Sequence, residues 1–128
     1  MKYDVCVVGL GYVGLTLATA LADLGFSVLG VEQRQDVVDM TNAGKPHFSE
    51  AGLEQMLTAV TQSGALLATQ DIPTGSYSDI YIITVGTPLG PDGQARLDFI
   101  KRATGSVAEN MHDDALVILR STVRIGTA

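Results

Sequence analysis

Four residues near the amino terminus carry the clearest chemistry in this chain. Gly9, Gly11 and Gly14 stand in the spacing G-x-G-x-x-G, within Gly9-Leu10-Gly11-Tyr12-Val13-Gly14, and Glu32 follows eighteen positions after Gly14. Such a triplet builds an anion cradle from backbone alone. The first glycine permits a tight turn, the second lets a pyrophosphate come against the main chain, and the third lets helix and sheet pack closely. Free N–H groups and a helix dipole at Gly11 to Val13 then favour negative charge. The carboxylate of Glu32 can accept bonds from ribose hydroxyls and repels a 2′-phosphate, which favours NAD over NADP. Arg34, two residues on, can instead welcome that phosphate. With fourteen glycines in 128 residues, a chance triplet beside a solvated acid is the alternative, and the surrounding elements must decide.

Those elements are the ones a dinucleotide cradle needs. Asp4-Val5-Cys6-Val7-Val8-Gly9 is a β-branched apolar run ending at glycine, the pattern of a parallel strand buried on both faces. From Tyr12 to Leu24 the apolar residues Val13, Leu17, Ala20, Leu21 and Leu24 recur at helical spacing, and Gly25 sits where a helix cap is expected. Phe26 to Val31 reads as a second strand that stops at Glu32. The opening is thus one β-α-β crossover of about thirty residues, so the triplet follows a strand, opens a helix and precedes an acid at the end of the next strand.

The alternation continues. Helices are expected over about Gln35–Ala43 and Leu53–Gln62, the latter with Leu53, Met56, Leu57 and Val60 on one face. Leu66–Thr69 is a short third strand, Asp79–Val85 a fourth, and Leu116–Leu119 a fifth. Leu97–Met111 reads as a helix despite Gly105, and the Gly- and Pro-containing stretch from Leu89 to Ala95 as irregular. Alternating strands and helices predict an α/β fold, a Rossmann-type doubly wound parallel sheet in three αβα layers, with strand order 3-2-1-4-5. No internal repeat and no linker divides the chain.

Composition sets limits. A chain of 128 residues that is 46% hydrophobic can bury one core but not a cofactor domain and a full substrate domain. The net charge of −6, from eight basic and fourteen acidic residues, argues against nucleic acid or an anionic membrane as partner. An anionic cofactor must then be held by backbone dipoles. One cysteine excludes an internal disulfide and offers no zinc cluster. His47 and His112 have no second ligand at metal spacing and read as surface histidines, so no metal site is expected. No apolar run approaches a membrane span, and the first residues lead into a strand rather than a secretory signal, making a cytoplasmic location the expectation. Glu50 is open to a role in the site, but its place just before a helix favours capping.

Three further stretches are more specific. Gly9 to Leu15 reads Gly-Leu-Gly-Tyr-Val-Gly-Leu, Val85 to Pro88 reads Val-Gly-Thr-Pro, and Ser121 to Thr127 reads Ser-Thr-Val-Arg-Ile-Gly-Thr. In this order and at these distances they closely resemble the UDP-glucose/GDP-mannose dehydrogenase family. Gly44 to Leu53 is also similar to that family's loop before the next helix, usually ending Glu-Pro-Gly-Leu. The resemblance covers essentially the whole chain.

It implies an enzyme that oxidises a sugar primary alcohol to a carboxylate in two NAD-dependent steps, in polysaccharide biosynthesis. A cysteine thiolate there holds the aldehyde as a thiohemiacetal and then a thioester, which water hydrolyses. That cysteine, with its lysine and asparagine helpers, belongs to a later domain, so the chain is expected to be a truncated cofactor domain, inactive alone. The whole enzyme is expected to take a UDP-sugar rather than a GDP-sugar and to be a homodimer. Cys6, mid-strand, reads as an inert core thiol.

What the resemblance carries over is cofactor binding. It implies backbone contacts to pyrophosphate at Tyr12 and Val13 and ribose contacts at Glu32. Thr87 and Thr122, just past the fourth and fifth strands, lie where open α/β sheets bind ligands. Thr87 would face the cofactor; Thr122 would reach the nicotinamide side and, in the whole enzyme, the catalytic water. Capping through the hydroxyl is the other role open to both. The chain departs from the family at Val37, usually lysine or arginine at the adenosine end, where Arg34 is a candidate substitute. It departs also at Ala51, usually proline, and Arg124, where proline or tyrosine is common. A stand-alone NAD-sensing module would need only the glycine loop and acid and has no evident use for Val-Gly-Thr-Pro or Ser-Thr-Val. Another dehydrogenase family on the same fold is a third reading, against which the loop from Gly44 to Leu53 speaks.

Overall fold

The structure, a computed structural model, describes residues 2–73, 76–84, 101, 105, 107, 108 and 115–119. Among the described residues, five strands, β1 (Lys2–Val8), β2 (Val28–Val31), β3 (Leu66–Thr69), β4 (Tyr77–Ile83) and β5 (Leu116–Leu119), are joined with helix α1 (Tyr12–Asp23) between β1 and β2, and α2 (Gln35–Asn42) and α3 (Leu53–Gln62) between β2 and β3. The strands form one sheet in the order β3-β2-β1-β4-β5. Every pairing is parallel, with Val8 of β1 opposite Val31 of β2 and Ile83 of β4. This is the expected strand order, and β1, at its centre, feeds the glycine loop.

Alternation along the central strands sends side chains into two cores. Val5 and Val7 of β1, Val28 of β2 and Ile82 of β4 join Leu15, Ala18, Val37, Val38, Leu57 and Val60 from the three helices on one face. Cys6, Val8, Leu29, Val31, Tyr81 and Ile83 form the other core, where Val107 covers them. Of the helix expected over Leu97–Met111, the described residues Lys101, Gly105, Val107 and Ala108 are helical. Helices therefore lie on both faces, giving the three αβα layers.

Burial defines the inward faces of two helices. In α1 the buried residues are Gly14, Leu15, Ala18, Thr19 and Ala22, whereas Leu24 is 74% exposed. The face turned inward is the one carrying Gly14, because only that glycine can meet the strand at close range. Thr19 tolerates full burial by donating its hydroxyl to the Leu15 carbonyl at 2.7 Å. In α3 the buried stripe is Leu53, Leu57 and Val60, with Met56 at 36% exposure on its edge. Helix α1 is capped by Leu24, and Gly25 follows at φ +106°. There the Gly25 and Phe26 N–H groups bond back to Ala22 and Leu21, closing the helix end.

Candidate functional site

The three glycines answer to different demands. Gly9 turns the chain out of β1 at φ +93°, a conformation that penalises any side chain, and its N–H donates to the Val31 carbonyl at 2.7 Å. A β-carbon at Gly14 would lie 1.7 Å from the Gly9 carbonyl oxygen and 2.5 Å from the Thr84 hydroxyl. Helix and turn are therefore in direct backbone contact, as the third glycine of the motif requires. Gly11 is otherwise: its φ is −74°, open to any residue, and a β-carbon there would meet nothing within 4 Å. Neither its backbone conformation nor its packing therefore requires glycine. The fold leaves space above it that a side chain would fill and an approaching ligand would use.

The charge of α1 matches that space. Gly11 is its N-cap without a side-chain cap bond, and its first turn holds no acid. Helices α2 and α3 each carry an acid there, Asp36 and Glu54. The first N–H groups of a helix have no intrahelical acceptor, so Tyr12 and Val13 present donors at the uncompensated positive end of α1, where an anion is stabilised.

The loop is anchored from below by Leu10, fully buried despite its place between two glycines. Its side chain packs over Gly30 of β2, where an added β-carbon would be 2.9 Å from a Leu10 methyl. Leu10 and Gly30 drew no attention in the sequence; an apolar residue at the first x of G-x-G with a glycine in the next strand is the available signal.

Glu32 stands at the end of β2, half-buried. Its Oε1 accepts from the Leu10 N–H at 3.1 Å, and its Oε2 from the Arg34 N–H at 2.9 Å. A carboxylate has about four lone-pair sites, so both oxygens retain capacity for sugar hydroxyls. Arg34, expected as a candidate for the adenosine end, points its exposed guanidinium to Asp36, with Nη2 to Oδ2 at 2.6 Å. That carboxylate holds the guanidinium pKa above its usual value, and the guanidinium holds Asp36 below the usual carboxylate range. Val37 is 2% exposed in the core; its side chain serves packing.

The segment before α3 folds back over the site. The rings of Tyr12 and Phe48 lie 4.9 Å apart between centroids, and His47 meets Phe48 edge-on at 4.9 Å. The Tyr12 hydroxyl donates to Glu50 Oε2 at 2.6 Å, and that acid raises the phenol pKa. Of the two roles open to Glu50, capping is therefore not the one seen: Gly52 is the N-cap of α3, with no side-chain cap bond. Nor is His47 a plain surface histidine. It is half-buried with a buried Nδ1 that has no partner among the described residues, and burial lowers its pKa against the upward pull of Glu32 and Asp36. The sequence hid this packing because it joins distant positions, 38 apart for Tyr12 and Glu50.

Cys6 is as expected: it is fully buried, and burial pushes its thiol pKa up to about 12. Thr87 and Thr122 lie outside the described residues, as do the rest of the Val85–Pro88 and Ser121–Thr127 stretches and His112. Among the described residues no cluster of His, Cys, Asp or Glu is arranged to hold a metal, and no helix is long and apolar enough to cross a membrane.

A parallel sheet with helices on both faces, a glycine turn at the end of its central strand, an open helix N-terminus and an acid at the tip of the neighbouring strand define a dinucleotide-binding Rossmann domain. Residues 3–128 match the NAD binding domain of the UDP-glucose/GDP-mannose dehydrogenase family. The chain belongs to that family, and the cofactor of its domain is NAD. It is 40% identical over 124 residues to UDP-N-acetyl-D-mannosamine dehydrogenase of Campylobacter jejuni, covering 96% of this chain and 30% of that protein. UDP-glucose 6-dehydrogenase of Rhizobium meliloti is 33% identical over 125 residues, 96% of this chain and 29% of its own length. The solved UDP-D-ManNAc dehydrogenase of Pyrococcus horikoshii superposes with a TM-score of 0.81 at 36% identity, covering 99% of this chain and 30% of that one. The chain thus spans about a third or less of the relatives it matches.

Proposed function

We propose that this domain supplies the cofactor half of a nucleotide-sugar dehydrogenase that oxidises the primary alcohol of a UDP- or GDP-sugar to the uronic acid. The observation that carries the reading is the space above Gly11, which no conformational need of the chain explains. Gly9 and Gly14 shape the turn, and the N–H groups of Tyr12 and Val13 hold the pyrophosphate. Glu32 accepts the adenosine ribose hydroxyls and disfavours a 2′-phosphate, and Arg34 borders the adenosine end. Thr87 and Thr122 complete the cofactor contacts, Thr122 on the nicotinamide side. When bound, NAD supplies the two-electron oxidant for the alcohol.

The whole protein takes a UDP-sugar in preference to a GDP-sugar, a choice supported by the names of the relatives quoted, and works as a cytoplasmic homodimer. The chain by itself is inactive, because the chemistry needs a nucleophile that can hold an aldehyde and release a carboxylate. Cys6, buried with its pKa raised, is unsuited to that task.

The test offers NAD with UDP-glucose, UDP-N-acetylmannosamine or GDP-mannose and follows NADH absorbance, alongside calorimetric titration of NAD. Cofactor binding without turnover is expected, with turnover on restoring the region that follows in the relatives. Turnover by the purified chain that survives Cys6→Ser would overturn the assignment of chemistry. Absence of NAD binding would overturn the cofactor half.

A further inference from the structure

We infer that Thr84, at the carboxyl end of β4, is a positioning residue for the cofactor site, acting through one peptide unit of the glycine loop. Its hydroxyl donates to the Gly9 carbonyl at 2.8 Å, with the Val8 carbonyl a longer 3.2 Å away. Its own N–H donates to the Val8 carbonyl at 2.8 Å, fixing the threonine against the end of β1. The other end of the Gly9–Leu10 peptide, the Leu10 N–H, donates to Glu32 Oε1. A single peptide plane is thus gripped from both sides, by Thr84 on its carbonyl and by Glu32 on its N–H.

This grip matters because nothing intrinsic holds the plane. Gly9 sits at φ +93°, and glycine explores both signs of φ with little penalty. Rotation of the plane would move the Gly9 carbonyl, against which Gly14 packs, and would withdraw the N–H that orients the carboxylate. Thr84 therefore sets two features together: the path of the loop toward the pyrophosphate, and the aim of the acid toward the ribose. A purely packing threonine would need only its methyl group; the short contact to Gly9 belongs to the hydroxyl.

The inference rests on the cofactor reading above, and the experiment separates the two. NAD and NADP are titrated into the chain and into Thr84→Val, Thr84→Ala and Thr84→Ser, with the fold monitored by circular dichroism. Loss of one hydrogen bond's net contribution corresponds to about tenfold in affinity. Thr84→Val is expected to bind NAD about that much more weakly and to discriminate less against NADP. Thr84→Ser keeps the hydroxyl and should restore both. Thr84→Ala, smaller and free of clash, gives the same reading if the valine variant does not fold. In the chain without cofactor, the Leu10 amide resonance should shift in the valine and alanine variants and stay in place in the serine variant. Unchanged NAD affinity and an unmoved Leu10 amide in folded Thr84→Val or Thr84→Ala would overturn the inference. So would a serine variant as impaired as valine. If the parent chain binds no NAD, it is the cofactor reading that fails.

Discussion

The Leu10 N–H reaches Glu32 Oε1 at 3.1 Å across 22 positions of sequence, so the glycine loop and the acid at the tip of β2 form one hydrogen-bonded unit. The two signals of the motif are thereby coupled, and a change in either is felt by the other.

Replacing the acid tests that coupling. Glu32→Ala removes the ribose acceptor and frees the Leu10 N–H. NAD affinity is expected to fall by about tenfold or more, as for a lost hydrogen bond to a charged group. The preference over NADP should narrow, because the repulsion of a 2′-phosphate is gone. Glu32→Gln keeps one acceptor oxygen without the charge, so it should retain more NAD affinity while losing discrimination. Calorimetric titration of both cofactors decides the matter; tighter NADP binding by the parent chain would refute the role given to Glu32.

Gly11 and Gly14 should part company under substitution. Gly11→Val fills open space and costs the fold only the difference in helix capping, about 1 kcal/mol, yet it should abolish NAD binding. Gly14→Ala drives a methyl to 1.7 Å from a backbone oxygen, and neither partner can step aside. A loss of about 3 kcal/mol or more is expected. Denaturant unfolding paired with titration checks both: a Gly11→Val domain that still binds NAD would place the phosphates elsewhere.

Cys6 predicts a pH dependence. Burial raises its thiol pKa from 9.0 to about 12, so the unfolded chain releases the proton first as pH rises. Between those values the folded chain binds more protons than the unfolded one, and stability falls with rising pH, by at most about 1.4 kcal/mol per pH unit. Below about pH 8 both states are protonated and the thiol adds no slope. Denaturant midpoints measured from neutral to strongly alkaline pH should fall more steeply for the parent chain than for Cys6→Ala. Parallel curves would show that the thiol has the same pKa in the folded and unfolded chain.

The sequence made the sheet legible because β-branched runs and their separations are local signals. Helix α3 and strands β3 and β5 have the bounds expected from pattern alone. Strand β1 begins earlier, at Lys2, because its ladder to β4 extends to Tyr77 and Lys2 pairs with Asp79 at 3.2 Å. Strand β2 begins later, since the Phe26 N–H serves the end of α1 and the Ser27 N–H donates to Asp4. The inward face of α1 is not legible from apolar spacing, because a glycine scores as nothing on such a pattern, although Gly14 decides which face turns in. Within the site, the glycines and Glu32 were readable as a motif. Thr84, Leu10 and the Tyr12–Glu50 pair were not, because each acts through a contact between distant parts of the chain.

Gly9 and Gly14 are bound to each other by the architecture, whereas Gly11 answers to something outside it. The distinction has an evolutionary corollary. Among the three glycines, a lineage that kept this scaffold but abandoned its cofactor would be released at position 11 alone, and drift there would cost the fold little. Glycine retained at 9 and 14 beside a bulky residue at 11 would be the mark of a sheet that outlived its ligand.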